Sequence, residues 1–314
     1  MTPQDDAVQR ASVAGHYRIG IGCMALTGLY GRISASDARD VLAKAIDLGF
    51  RLFDTAPLYA NGQNEALIGN VIGSTDGATV ATKFGLAETK DGKLLRDSRP
   101  DAIRASVEAS LVRLRRERID LLIQHRPDPA VNDQEVAGAV QDLIDAGKVA
   151  AFGLSGTSMD RIKPMSEQCC VTVVQNELSF LSGPEAWSAP QRIGNMGAFF
   201  MAYAPIARGL LSINCAKNKR DADDYRSQVE AFNNPDQSVS QSLRICLKDV
   251  ASTYGVSVTA LVLAWVKTRG ANVVPIPGPR GAEHLSDLVD AGGLEIDRAH
   301  ISIIEEIASS QSGG

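Results

Sequence analysis

Short apolar runs recur eight times along the chain, and most are followed by stretches whose apolar residues return every three or four positions. The first pattern reads as a buried strand, the second as a helix with one face on a core. Strands are expected at 19–24, 50–53, 78–83, 119–125, 149–154, 171–174, 199–203 and 271–276. Helices are expected at 36–48, 64–71, 100–115, 131–146, 159–167, 240–254, 258–268, 282–291 and 297–309. The local punctuation agrees. Ser36 is a candidate N-cap, Gly49 and Gly147 stop helices, and Pro100 suits a first turn. The strands are mostly continuously apolar, as in a parallel sheet covered by helices. Eight such units in 314 residues favour a closed (β/α)8 TIM barrel, an α/β fold, over an open doubly wound sheet. No Gly/Ser-rich or Pro-rich linker divides the chain, so residues 1–314 are expected to form one domain.

Two stretches interrupt the pattern. Gly20-x-Gly22-x-x-Ala25 matches a dinucleotide-binding fingerprint. That motif needs a helix opening on its glycines, and Thr27-Gly28-Leu29-Tyr30-Gly31 reads as loop instead. Residues 85–100 form a long polar loop, and such loops are usually functional.

Composition narrows the functional classes. Hydrophobic residues make up 44% and charged residues 22%, the balance of a globular protein in water. No apolar run reaches the roughly 18 residues of a membrane span, and the first 20 residues resemble neither a signal nor a transit peptide. The net charge of -5 argues against a nucleic-acid partner. The one basic run, Arg113, Arg115, Arg116 and Arg118, falls at a helix end, where cations complement the dipole. Five cysteines (Cys23, Cys169, Cys170, Cys215, Cys246) without a CxxC pair fit a reducing cytoplasm. His16, His125, His284 and His300 show no metal-ligand spacing, and no metal is expected.

Candidate chemistry gathers at strand ends. Asp54 closes the second strand, Lys83 the third and His125 the fourth, while Tyr59 lies in the loop after Asp54. Singly, each has a bland reading: a turn former, a solvated lysine, a hydrogen-bonded core histidine, a packing tyrosine. Together, on consecutive units, they converge on the edge where barrel enzymes keep catalytic groups. Tyrosine ionises near pH 10. A nearby Lys83 ammonium would lower that value, Asp54 would hold Lys83, and His125 would orient a carbonyl oxygen. The set lacks a strong nucleophile, so electrons must come from a cofactor, and hydride transfer from a nicotinamide fits.

The chain also resembles the aldo-keto reductases. Gly49-Phe50-Arg51-x-Phe53-Asp54-Thr55-Ala56 with Tyr59 looks like their first signature, continued by Asn64-Glu65-x-x-x-Gly69. Ala81-Thr82-Lys83 looks like their lysine strand, and Ile119-Asp120-Leu121 with Gln124-His125 like their histidine strand. Gly147-Lys148-Val149 with Gly153-Leu154-Ser155, Gln175-Asn176-Glu177, Tyr203-Ala204-Pro205-x-x-Arg208-Gly209-Leu210-Leu211 and Pro275-Ile276-Pro277-Gly278 follow in the family's order. The resemblance covers about residues 19–308.

It implies an NADPH-dependent barrel enzyme that reduces aldehydes and ketones, with Asp54, Tyr59, Lys83 and His125 as the catalytic tetrad. It also implies cofactor contacts. Ser155 and Gln175 would hold the nicotinamide carboxamide, Tyr203 would stack on the ring, and Met24 and Asp54 would lie beside it. Pro205, Ile206, Arg208, Gly209 and Leu211 would cover the pyrophosphate. Gly278, Arg280 and His284 would meet the adenosine 2′-phosphate. His125-Arg126-Pro127-Asp128-Pro129, Ala264-Trp265-Val266 and the short termini look closest to the bacterial and plant broad-specificity aldehyde reductases. A steroid substrate is therefore not expected. Two departures stand out. Ser155-Gly156 replaces a frequent Ser-Asn, and Asp287-Leu288 replaces Glu-Asn near the adenine. The substrate pocket would be lined by Leu26, Tyr30, the 85–100 loop, Arg126 and the loop around Ser182. Rival readings are an NAD(P)-linked dehydrogenase of a sugar or pyridoxal-type substrate, and a non-catalytic channel-type regulatory subunit on the same barrel.

Overall fold

A computed structural model describes residues 17–89, 91–212, 224–232 and 238–310. His16, Cys215 and the N-terminal leader reading lie outside these residues. Eight strands form one sheet: β1 (Ile21–Gly22), β2 (Leu52–Asp54), β3 (Thr79–Phe84), β4 (Ile119–Gln124), β5 (Val149–Ser155), β6 (Val171–Glu177), β7 (Phe199–Tyr203) and β8 (Val273–Pro275). They pair in chain order and all in parallel. The Gly20 N–H donates to the Pro275 carbonyl at 2.9 Å and the Gly22 N–H to the Pro277 carbonyl at 2.7 Å. The first and last strands therefore lie side by side, and the architecture fits a (β/α)8 barrel.

Ten α-helices are described: α1 (Ala35–Asp47), α2 (Gln63–Ile72), α3 (Pro100–Leu114), α4 (Asp133–Asp145), α5 (Met159–Gln168), α6 (Gly183–Gly194), α7 (Gln241–Thr253), α8 (Val258–Thr268), α9 (Ala282–Gly293) and α10 (Arg298–Ser309). Their apolar faces join the outward strand residues, such as Phe152 and Phe200, in the outer core. Trp265 of α8 is fully buried there and stacks on Phe180 with ring centroids 3.8 Å apart. No single described helix is long and apolar enough to cross a membrane.

Several expectations need correction. The N-cap of α1 is Ser34, whose Oγ accepts from the Asp37 N–H, and Ser36 lies inside the helix. Gly49 behaves as expected, with φ of 93° just past the helix end. The 85–100 loop holds a two-stranded antiparallel hairpin, Leu86–Glu88 against Leu94–Arg96. The loop around Ser182 is a 3-10 turn leading into α6, which its two prolines concealed. Pro184 occupies the first turn, and Pro190 lies within the helix. β6 extends to Glu177 rather than ending at Val174. The Gly20–Ala25 fingerprint opens onto a 3-10 turn (Cys23–Thr27), not an α-helix. Gly22 serves packing instead, since a Cβ there would meet the Ile276 carbonyl oxygen at 2.6 Å. The basic run is also structural: Arg113 pairs with Glu65, and Arg116 with Asp120.

Strand parity positions the site. Side chains alternate across a sheet. The inner face packs Leu52, Ala81, Leu121, Ile123, Ala151, Val173 and Met201 into one small cluster. Two or four residues further along the same strands, at the C-terminal edge, that parity delivers Asp54, Lys83, His125, Ser155, Gln175 and Tyr203.

Candidate active site

Asp54 and Lys83 meet at the end of β2 and β3. Lys83 Nζ donates to both Asp54 carboxylate oxygens (2.8 and 2.7 Å), to the Thr55 carbonyl oxygen (2.8 Å) and to the Tyr59 hydroxyl (3.3 Å). Both residues are buried. A buried charge without such a partner would cost several kcal/mol, of order 3–5, so the pair is held as a unit. Gln175 Nε2 donates to Asp54 Oδ1 at 2.7 Å, tying β6 to the same carboxylate.

Tyr59 reaches this pair because the chain turns sharply after Asp54. Thr55 Oγ1 bonds Asn64 Oδ1 at 2.6 Å, and Asn64 Nδ2 donates to the Cys23 carbonyl at 3.0 Å. Ala60 and Asn61 then take left-handed conformations, with φ of 48° and 51°. Five of the seven described non-glycine residues with positive φ lie at this edge: these two, Ala204, Ala207 and Arg208. Backbone strain of this kind collects where a structure holds functional side chains. The Tyr59 and His125 rings meet edge-on at 6.0 Å.

Electrostatics assigns protonation states. Burial lifts the Tyr59 hydroxyl above its ordinary value, opposed by the Lys83 charge and its hydrogen bond. Lys83 does pull the value down, as expected, but loss of solvent around the phenolate outweighs the ammonium, so the net shift is upward. Burial works against the Lys83 charge, but Asp54 and Tyr59 override it and hold the ammonium above its usual range. Burial, then Lys83 and Arg126, drives His125 well below its ordinary value. At neutral pH the site holds a neutral phenol, an ammonium and a neutral imidazole.

The remaining candidates surround this centre. Ser155 and Tyr203 share its edge, joined by Arg126: Nη1 donates to Ser155 Oγ at 3.1 Å, and the guanidinium lies 5.9 Å from the Tyr203 ring centre. Met24 is half-buried in the 3-10 turn after β1. Pro205 and Leu211 are buried and Ile206 half-buried around the tight Ala207–Gly209 turn after β7. Arg208 there is paired with Glu177 at 3.0 Å. Gly278 is exposed at the end of β8. Arg280 packs over Gly31 and donates to the Arg32 carbonyl at 3.0 Å. The His284 ring accepts the backbone N–H groups of Arg280 and Gly281 and so caps the first turn of α9. Leu288 is buried in the apolar face of that helix. The Thr55 carbonyl was not singled out as a site group, and adjacency to Asp54 was its only signal; Gly156 was noted only as a departure from Ser-Asn, and its left-handed backbone emerges from the structure. Among the described residues, no group of three His, Cys, Asp or Glu could hold a metal ion.

A family model described as the Aldo/keto reductase family matches residues 18–309. A Glycine max protein named probable aldo-keto reductase 1 is 28% identical over 292 residues, covering 92% of this chain and 84% of its own. The Schizosaccharomyces pombe aldo-keto reductase yakc, whose name specifies NADP(+), is 30% identical over 304 residues, covering 92% and 87%. The solved glycerol dehydrogenase AKR11B4 of Gluconobacter oxydans superposes with a TM-score of 0.84 at 29% identity, covering 95% of this chain and 93% of that one. With a match over nearly its whole length, the chain belongs to the aldo/keto reductase family.

Proposed function

We propose that this protein reduces aldehydes and ketones to alcohols with NADPH, on a closed single-domain barrel. The observation that carries the reading is Lys83 Nζ, bonded at once to Asp54 and to the Tyr59 hydroxyl. Tyr59 donates its proton to the carbonyl oxygen. Lys83 stabilises the phenolate left behind, and Asp54 keeps Lys83 charged and in place. Neutral His125 donates a hydrogen bond that orients the carbonyl. The chemistry a bound nicotinamide supplies is a hydride for the carbonyl carbon.

The residues present suit that group. Ser155, Gln175 and Tyr203 offer a hydroxyl, an amide and an aromatic face on one wall beside Tyr59. Arg280 sits at the rim as a cation that suits a 2′-phosphate, which, with the NADP(+)-named relative, supports NADP over NAD. The glycerol dehydrogenase likeness agrees with the same atoms running in reverse. Names of catalysts among the relatives do not favour the regulatory-subunit reading. Free thiols at exposed Cys170 and half-buried Cys246 support a cytoplasmic setting.

The test follows NADPH absorbance with an activated aromatic aldehyde, comparing wild type with Tyr59→Phe. A loss of at least about 100-fold is expected for removal of the general acid. Equal, non-zero turnover in both proteins would remove Tyr59 from the mechanism.

A further inference from the structure

Gly156 follows Ser155 in a left-handed conformation, with φ of 59°. A Cβ built there would meet Arg126 at Nη1 (2.6 Å), Cζ (2.8 Å) and Cδ (2.9 Å). The Arg126 guanidinium therefore occupies the volume that a side chain at 156 would fill. It donates to the His125 carbonyl at 2.7 Å and to Ser155 Oγ at 3.1 Å, and lies over the Tyr203 ring. Among the described residues, no carboxylate pairs with it. The half-buried guanidinium carries five N–H donors. Its bonds to the His125 carbonyl and Ser155 Oγ both leave Nη1, and it also lies close enough to the Tyr203 hydroxyl to favour that group's ionised form.

The neighbouring hydrogen bonds sort donors from acceptors. Ser155 Oγ accepts from Arg126, which leaves its O–H to donate. Gln175 spends an amide N–H on Asp54, which leaves its carbonyl oxygen to accept. One side of the wall thus presents donors, and the other presents an acceptor. A primary carboxamide has that complement, an oxygen at one end and an NH2 at the other.

We propose that Arg126 is a cofactor-binding residue. Its guanidinium, seated in the space left by Gly156, grips the nicotinamide carboxamide oxygen together with Ser155, while Gln175 receives the amide N–H. This assignment rests on the NADP-dependent reading above. It makes Arg126 and Gly156 an interdependent pair: a side chain at 156 excludes the guanidinium, and loss of the guanidinium opens room for one.

Calorimetric titration with two ligands tests this: NADP+, and 2′,5′-ADP, which lacks the nicotinamide. Arg126→Ala is expected to weaken NADP+ about tenfold, the size of a hydrogen bond from a charged donor, and to leave 2′,5′-ADP unchanged. Arg126→Lys keeps charge without the fork and should weaken NADP+ by a smaller factor, with an unaltered thermal melt. Gly156→Asn, chosen because asparagine tolerates the left-handed region, should weaken NADP+ on its own. The Arg126→Ala/Gly156→Asn double variant should bind NADP+ more tightly than either single variant, because the amide then has room to replace the guanidinium. Unchanged NADP+ affinity in Arg126→Ala, or equal weakening of both ligands, overturns the assignment while leaving the reductase reading intact. A selective rise in KM for carboxylate-bearing carbonyls at unchanged NADP+ affinity also overturns it, and makes Arg126 a substrate residue. Wild type that binds neither NADP+ nor NAD+ overturns the reductase reading itself.

Discussion

Tyr59 is where two opposing forces decide the chemistry. Lys83 pulls its proton off, burial holds it on, and burial wins. In the proposed mechanism reduction uses the protonated phenol and oxidation the phenolate, so the two directions should differ in pH dependence. A tyrosine raised above its ordinary value of about 10 stays protonated through neutral and mildly alkaline pH. The kcat/KM for carbonyl reduction should therefore hold level from pH 7 to about 9, whereas that for alcohol oxidation should climb across the same range. A pH profile in which reduction falls steeply between pH 7 and 8 would contradict the burial argument. That these residues gather at strand ends was legible in the sequence, because a carboxylate, a lysine and a histidine each close a buried run. The sign of the tyrosine shift was not, because it depends on solvent exclusion by distant residues.

At the level of elements, helix contacts depend on small residues that local propensity undervalues. Gly69 lies in the middle of α2 against the end of α3, and a Cβ there would meet the Arg113 carbonyl oxygen at 2.3 Å and Leu114 Cα at 2.8 Å. By propensity alone, Gly69→Ala should stabilise α2 by about 1 kcal/mol. The contact is with backbone, which cannot swing aside, so the net effect should be destabilisation of about 1–3 kcal/mol, as for an overpacked core. Urea unfolding monitored by circular dichroism decides the sign; a midpoint above wild type would show that the helices separate freely. Local patterns anticipated most helices and missed α6, whose interior Pro190 reads as a breaker. They also placed the α1 cap at Ser36 instead of Ser34. Two serines two residues apart are equivalent to local chemistry, and packing of Ala38, Val41 and Leu42 chooses the frame.

Across the whole molecule, the meeting of the first and last strands carries the consequences. Gly22 approaches the Ile276 and Pro277 carbonyl oxygens so closely that a Cβ would stand 2.6 and 3.2 Å from them. Gly22→Ala should lower the melting temperature and weaken NADP+ binding together, because β1 leads directly into the Met24 turn. Gly20→Ala is the control: its nearest neighbours at 3.0 Å are Leu52 and Ile276 side-chain atoms, which have more freedom to give way. Thermal melts and calorimetry on both variants separate the two; equal melting temperatures for Gly22→Ala and wild type would show that the strands do not need this approach. The hairpin that follows β3 exposes Leu94 and Leu95, at 65% and 50%, and no local period predicted it because its strands are three residues long.

By itself, the sequence determined the alternation of strands and helices, the strand ends that bear polar groups, and the family signature. Those follow from local periodicity and from residues adjacent in the chain. Only the tertiary structure decided that Asp54, Tyr59, Lys83 and His125 share one buried cluster, that burial overrides Lys83 at Tyr59, and that Arg126 fills the place beside Gly156. Each of those depends on groups far apart in the chain excluding the same water and competing for the same volume.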